Sequence, residues 1–236
     1  MSGQNINFYK INASYNHDLK NIDIEQSITF FNNSNQILSE IFLNDWSSSY
    51  SSTETPLAQR LAEEYDRSFY FANKNKRGST LDLYIKHNSE DLNWSRLKNQ
   101  SDIIKVDLKE PLNPNEEILI KLNYRVKIAD KRFTGYGIID KNNVFIKDWF
   151  ISICKIIDNN WIKNSNLDLE EIPRNKGNYN VKWLLPKNLK IHSNLILKNE
   201  KKYEFLNEYE FYGDEYTDIQ FQITSKNHFK KFKKND

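Results

Sequence analysis

One cysteine in 236 residues, Cys154, excludes an intrachain disulfide and any zinc cluster built on thiolates. Its neighbours Ile151, Ile153, Ile156 and Ile157 make it a small buried hydrophobe rather than a nucleophile. Glycine is scarce at 6 residues, and neither GxGxxG nor GxxxxGK followed by Ser or Thr occurs, so the usual phosphate-cradling loops are missing. Charge of one sign is missing as well. Lys and Arg number 34 against 32 Asp and Glu, a net charge of +2 that argues against nucleic acid as a partner. The local basic excess, Lys230, Lys231, Lys233 and Lys234, reads as a solvated tail or the start of a linker. No apolar run approaches the ~20 residues that span a bilayer, and Met1–Lys10 lacks the basic-then-apolar pattern of a signal peptide. The chain therefore reads as soluble, with no transmembrane segment. Its compartment stays open: periplasmic or otherwise extracytoplasmic if a signal peptide has been removed, cytoplasmic if not.

What is present is aromatic and alternating. Tyr (13), Phe (14) and Trp (5) are plentiful, as suits strands and aromatic packing. Ile22, Ile24, Ile28 and Phe30 alternate with Asp23, Glu25, Ser27 and Thr29, so that one sheet face is apolar and the other polar. The cluster Asn32–Gln36 then predicts a turn and Ile37–Leu43 a second strand, together a central hairpin. The cleanest period-two run is Glu117–Ile128, with Ile118, Ile120, Leu122, Tyr124, Val126 and Ile128 on even positions. Asn5–Ser14 predicts an opening strand, Ser47–Thr53 a polar loop and Glu110–Asn115 a proline-bounded turn. Ile191–Leu197 and Tyr203–Phe211 suggest a hairpin turning about Lys198–Lys202. One segment changes period: Thr55 as N-cap, Pro56 in the first turn, then Leu57, Leu61 and Tyr65 every four residues predict a helix over Thr55–Asp66. The expected fold is an all-β, mainly antiparallel sandwich or saddle with one helical excursion at about 55–72. A single domain over 1–228 and a basic tail over 229–236 complete the expected organisation.

Candidate chemistry is thin. His17, His87, His192 and His228 include no two within helical reach of one another; His17 and His87 fall in turns or strand ends, where a solvent-exposed role is the default. Asp168, Glu170 and Glu171 form an acidic group that invites a paired-carboxylate reading, against which a solvated loop is preferred. Trp94, Trp149, Trp161 and Trp183 could line a peptide- or sugar-binding face, but large aromatics in strands more often fill the core. No residue is assigned a catalytic, cofactor-binding or metal-binding role.

The order of segments resembles the N-terminal domain of the M1 zinc aminopeptidases, the gluzincins, especially the bacterial branch. The likeness is carried by Ile22–Phe42 with Asn33-Ser34 between its strands, and by Leu57–Gly78 with Phe69-Tyr70-Phe71-Ala72 and Arg77-Gly78. It continues through Val106-Asp107-Leu108, Pro111-Leu112-Asn113-Pro114 and Ile118–Tyr124, then Val181–Pro186 and Asp218–Phe232. The chain departs from the family where Phe150 and Ile151, not Pro, follow Trp149, and where Glu170-Glu171-Ile172-Pro173-Arg174 replaces a Gly-Glu segment. Substrate contacts are not carried over to those loops. The resemblance implies a zinc-dependent aminopeptidase whose metal is held by His-Glu-x-x-His plus a downstream Glu, and that motif does not occur here. It therefore implies a non-catalytic domain packing against an M1-type catalytic domain, in cis or in trans, and helping to wall a peptide-substrate cleft. Zinc belongs to that other domain, and this chain alone carries out no reaction. The alternative is a stand-alone binding or scaffold module that recognises a protein, peptide or glycan through exposed aromatics.

Overall fold

The computed structural model describes residues 6–169 and 173–225. Its largest element is an eight-stranded sheet. In spatial order the strands are Ile196–Lys202, Leu206–Tyr216, Gly177–Pro186, Asn7–Asn16, Asn21–Phe31, Glu117–Lys127, Ser79–His87 and Glu90–Asp91. Asn7–Asn16 runs parallel to Gly177–Pro186, and the remaining strand pairs are antiparallel. Alternation decides which face is buried. Ile118, Ile120, Leu122, Tyr124 and Val126 point inward, and so do Tyr9, Ile11, Ala13 and Tyr15 on Asn7–Asn16, two strands away.

Two four-stranded sheets cover that inner face. One is Lys190–Ser193, Gln220–Thr224, Asn143–Lys147 and Gly137–Asp140; the other is Ser152–Ile153, Leu38–Asn44, Gln100–Leu112 and Trp94–Leu97. A small pair, Lys155–Ile157 with Asn160–Ile162, closes one end. The three larger sheets share one apolar core with an aromatic centre. Trp183 lies 4.7 Å from Trp149 and 5.4 Å from Phe221 between ring centroids. Each Ile, Leu or Phe wholly buried in this layer contributes about 1.5–3 kcal/mol by leaving water. Cys154 is buried with its thiol near Asn44 Oδ1 at 3.1 Å, and burial pushes that thiol up from its ordinary value. The fold is all-β, as expected, and among the described residues its one α-helix is Pro56–Glu63.

Several local expectations are corrected. Asn21–Phe31 and Leu38–Asn44 do not form a hairpin: the first pairs within the eight-stranded sheet and the second with Gln100–Leu112 in another sheet. The linking turn is built on buried Asn32, whose Nδ2 donates to the Gln36 carbonyl at 2.8 Å and the Leu112 carbonyl at 3.0 Å. Its Oδ1 accepts from Ser34 Oγ at 2.6 Å. A fully bonded buried amide of this kind fixes a crossing between layers. The helix ends at Glu63 because Tyr65 adopts φ 62° and stands exposed. Tyr65 N donates to Ala62 O at 3.1 Å and Asp66 N to Leu61 O at 2.9 Å, the paired bonds that close a helix on a left-handed residue. Gln100–Leu112 runs straight through Pro111, so its turn starts only at Asn113. Lys198–Lys202 belongs to an exposed edge strand, and that hairpin turns at Tyr203–Phe205 instead. Edge lysines guard such an open strand against pairing with other chains. Finally, Ser47–Thr53 is no solvated loop, since Trp46–Tyr50 forms a 3-10 turn that buries Trp46, Ser48 and Ser49.

Candidate functional site

Polar side chains buried around that 3-10 turn build the most elaborate corner of the molecule. Asp45, almost wholly buried, accepts from Thr80 Oγ1 at 2.5 Å, Arg96 Nη2 at 2.6 Å and Ser48 Oγ at 2.8 Å. Its own N–H donates to the Asp102 carbonyl at 2.8 Å. The Asp102 carboxylate in turn accepts from Ser165 Oγ at 2.9 Å and Asn166 N at 2.7 Å, and Asn166 Nδ2 donates to Ser49 Oγ at 3.1 Å. Burial raises the Asp102 carboxyl above its ordinary value, and these two donors oppose the rise. The helix adds a further tie, because Arg60 bonds the Leu167 carbonyl and pairs with Glu64 at 2.8 Å. The Asp102 carboxylate thus clamps Ser165 and Asn166 against the 3-10 turn, which the Asp45 carboxylate holds in place.

The clamp leaves a cleft of ≈ 280 Å³, lined among others by Trp46, Tyr50, Asp148, Trp149, Asp168 and Arg174. Arg174 donates to Asp148 at 2.9 Å and to Asp218 at 3.4 Å, and its guanidinium lies over the Trp46 ring at 4.9 Å. Lys147 also meets Asp218, at 3.5 Å. Asp148 adopts φ 53°, a conformation that costs a non-glycine residue energy and directs its carboxylate to Arg174. Burial pushes the Asp148 carboxyl up to about 6, against the pull of Arg174 and Lys147. Asp168 is raised as well, mainly by burial, with Arg60 opposing. The indole N–H groups of Trp46 and Trp149 are buried and have no hydrogen-bond partner among the described residues. Tyr50 Oη and Thr134 Oγ1 bond at 2.7 Å on the opposite wall. Gly137 permits that wall to close: it sits at φ 125°, and a Cβ there would stand 2.1 Å from the Ala129 carbonyl.

The residues singled out in the sequence meet different fates. Trp149 and Trp183 are core, and Trp161 packs between Phe30 and Phe42, while Trp94 is half-buried. His17 lies in a turn beside Tyr15, and His87 Nδ1 meets the Leu119 carbonyl at 2.8 Å at a strand end. His192 sits on the Lys190–Ser193 strand, and His228 lies outside the described residues. Among the described residues no three His, Cys, Asp or Glu side chains are grouped to hold a metal ion. Of the acidic group, only Asp168 is described, and it reaches the cleft; Glu170 and Glu171 lie outside the described residues, as do the tail lysines. Asp45, Asp102, Asp148 and Arg174 were not foreseen as site residues. Asp45 alone left a trace, an acidic residue three before Ser48 at the end of an apolar strand.

Comparison with known proteins adds the architecture's context. No family model and no curated protein matches the chain. Among solved structures, an M1 zinc metallopeptidase from Deinococcus radiodurans superposes with a TM-score of 0.52 at 10% identity, over 95% of this chain and 43% of that one. The chain has the fold of part of an M1 zinc metallopeptidase. A mutant two-domain M1 zinc metallopeptidase bound to L-arginine matches with a TM-score of 0.54 at 10% identity, over 93% of this chain and 42% of its own. A mutant of the Deinococcus radiodurans enzyme bound to a Tyr-Ser-Ala substrate gives 0.52 at 12% identity, over 93% and 43%. The M1-type likeness is therefore one of fold, and the chain spans less than half the length of these structures. No helix among the described residues is long and apolar enough to cross a membrane.

Proposed function

We propose that this chain serves as the non-catalytic N-terminal domain of an M1-type peptidase, packing against a zinc-bearing catalytic domain in cis or in trans and walling part of its peptide cleft. The observation that carries the reading is the superposition over nearly the whole chain on less than half of each M1 structure. It is supported by the corner at Asp148. The M1 structures include complexes with amino acids and with a tripeptide, ligands that carry an ammonium group. Asp148 and Asp168 would set carboxylates toward such a cation, while Arg174 keeps Asp148 oriented. Zinc and its activated water belong to the catalytic domain in this reading, and the residues here contribute walls and charge only.

The test is to follow the natural reading frame beyond Asp236 for His-Glu-x-x-His, and to assay that catalytic part with and without this chain on aminoacyl substrates. Chelator-sensitive activity that rises on adding the chain, with a KM increased several-fold by Asp148→Asn, is the expected result. A catalytic part whose activity and KM ignore this chain would overturn the reading.

A further inference from the structure

The outer face of the eight-stranded sheet carries a second hollow, of ≈ 420 Å³, which shares no lining residue with the Asp148 cleft. Strand register sets its floor. Lys182, Asn12, Glu25, Asn123 and Tyr84 stand side by side on five adjacent strands. At the ~4.8 Å spacing of neighbouring strands this row is roughly 19 Å long. The next row on the same face sets Leu184, Ser14, Asp23 and Arg125 alongside it.

Three features specify what this floor would hold. The first is charge. Arg125 is consumed by Asp23 at 2.8 Å and Asp82 at 3.4 Å, and Lys182 faces Glu208 at 3.6 Å, so the hollow holds paired charges and only one spare carboxylate, Glu25. Neither a strong anion nor a strong cation is favoured there. The second is hydrogen-bonding capacity. Asn12, Ser14, Glu25 and Asn123 are exposed, and their side chains have no partner among the described residues. They offer amide donors, a hydroxyl and carboxylate acceptors in close array, the complement of vicinal hydroxyls. The third is an aromatic wall. A bulge in Ser79–His87 at Leu81–Tyr84, with Asp82 at φ 52°, turns Leu83 inward and leaves Tyr84 60% exposed. Arg125, bonded to Asp82, holds the bulge in place. A ring face beside polar groups suits the apolar face of a pyranose.

We propose that this hollow binds a neutral oligosaccharide, laid across the strands, with Tyr84 stacking on a sugar ring and Asn12, Glu25 and Asn123 bonding its hydroxyls. The assignment is independent of the peptidase reading, since it uses none of the residues of the Asp148 cleft. Titration calorimetry of the whole chain with cellotetraose, xylotetraose, maltotetraose and chitotetraose tests it, with heparin as the anionic comparison. Saturable binding of at least one neutral tetraose is expected, weakened roughly tenfold or more by Tyr84→Ala and by Glu25→Gln. Both side chains are exposed, and unchanged thermal unfolding of each variant would show that the fold is kept. Absence of binding by all four tetraoses would overturn the proposal. So would an affinity untouched by Tyr84→Ala, or binding of heparin alone that is lost with Lys10 and Lys121, which border the hollow on the same face.

Discussion

Two regions of this protein hold their buried side chains in place by opposite means. Along Glu117–Lys127 every second residue is apolar and buried, and the backbone bonds only to its neighbouring strands. Around Trp46–Tyr50 the buried groups are Asp45, Ser48, Ser49 and, across from them, Asp102, held by a network of charged and neutral hydrogen bonds. The first region resists change in proportion to the area removed from water. The second resists it through groups that become unsatisfied when one partner is lost.

The sharpest way to separate the two is to damage each once. Asp45→Ala strands the Arg96 guanidinium, Thr80 and Ser48 together and is expected to cost about 3–5 kcal/mol in urea unfolding. Ile120→Ala, which leaves a cavity with no polar group behind, is expected to cost about 2–5 kcal/mol. Asp45→Asn tells them apart, because it keeps the shape and one acceptor oxygen while removing the charge. A loss of about 1–3 kcal/mol marks the polar network, and a loss near zero would mean that shape alone holds this corner.

The same contrast explains what could be read from the sequence. Alternation at Ile118, Ile120 and Leu122 reports directly on burial, because a strand side chain has only two faces to choose from. The helix was legible through Thr55 and Pro56, but its end was not, since Tyr65 reaches a left-handed conformation that its residue type does not announce. The crossing at Asn32 read as a local turn because its partner carbonyl, on Leu112, is 80 residues away. Asp148 and Arg174 are 26 residues apart and meet only through tertiary packing, so neither period nor spacing flags them. Trp183 and Trp149 fill the core, the commoner place for such large aromatics.

A smaller effect is expected from pH, and it falls on the polar region alone. Asp148 titrates near 6 in the folded chain, above the ~3.9 of an unfolded aspartate, so the folded state binds the extra proton between those values. Stability is then greatest below about pH 4 as far as this group is concerned, and is lost as pH rises through about 6. Two units correspond to about 3 kcal/mol at most. Denaturation at a series of pH values should show that decline in the parent, and Asp148→Asn should lack it. An unaltered slope in the variant would assign the titration to another raised carboxyl of the corner, Asp168.

The smallest expected effect tests whether the helix belongs to the polar region or merely lies beside it. Thr55 Oγ1 accepts from Ala58 N at 3.3 Å as the helix cap and donates to the Ser49 carbonyl at 2.6 Å inside the 3-10 turn. An isolated cap is worth about 1 kcal/mol. If Thr55 also braces the turn, Thr55→Ala should exceed that by leaving the Ser49 carbonyl short of a donor. Thr55→Ser keeps both bonds and should stay close to the parent. The coupling is read from a double-mutant cycle of Thr55→Ala with Ser48→Ala, whose side chain bonds Asp45 in the same turn. An interaction energy of about 0.5 kcal/mol or more joins the helix to the Asp45 network, whereas additivity would leave it a separate element capped on its own account.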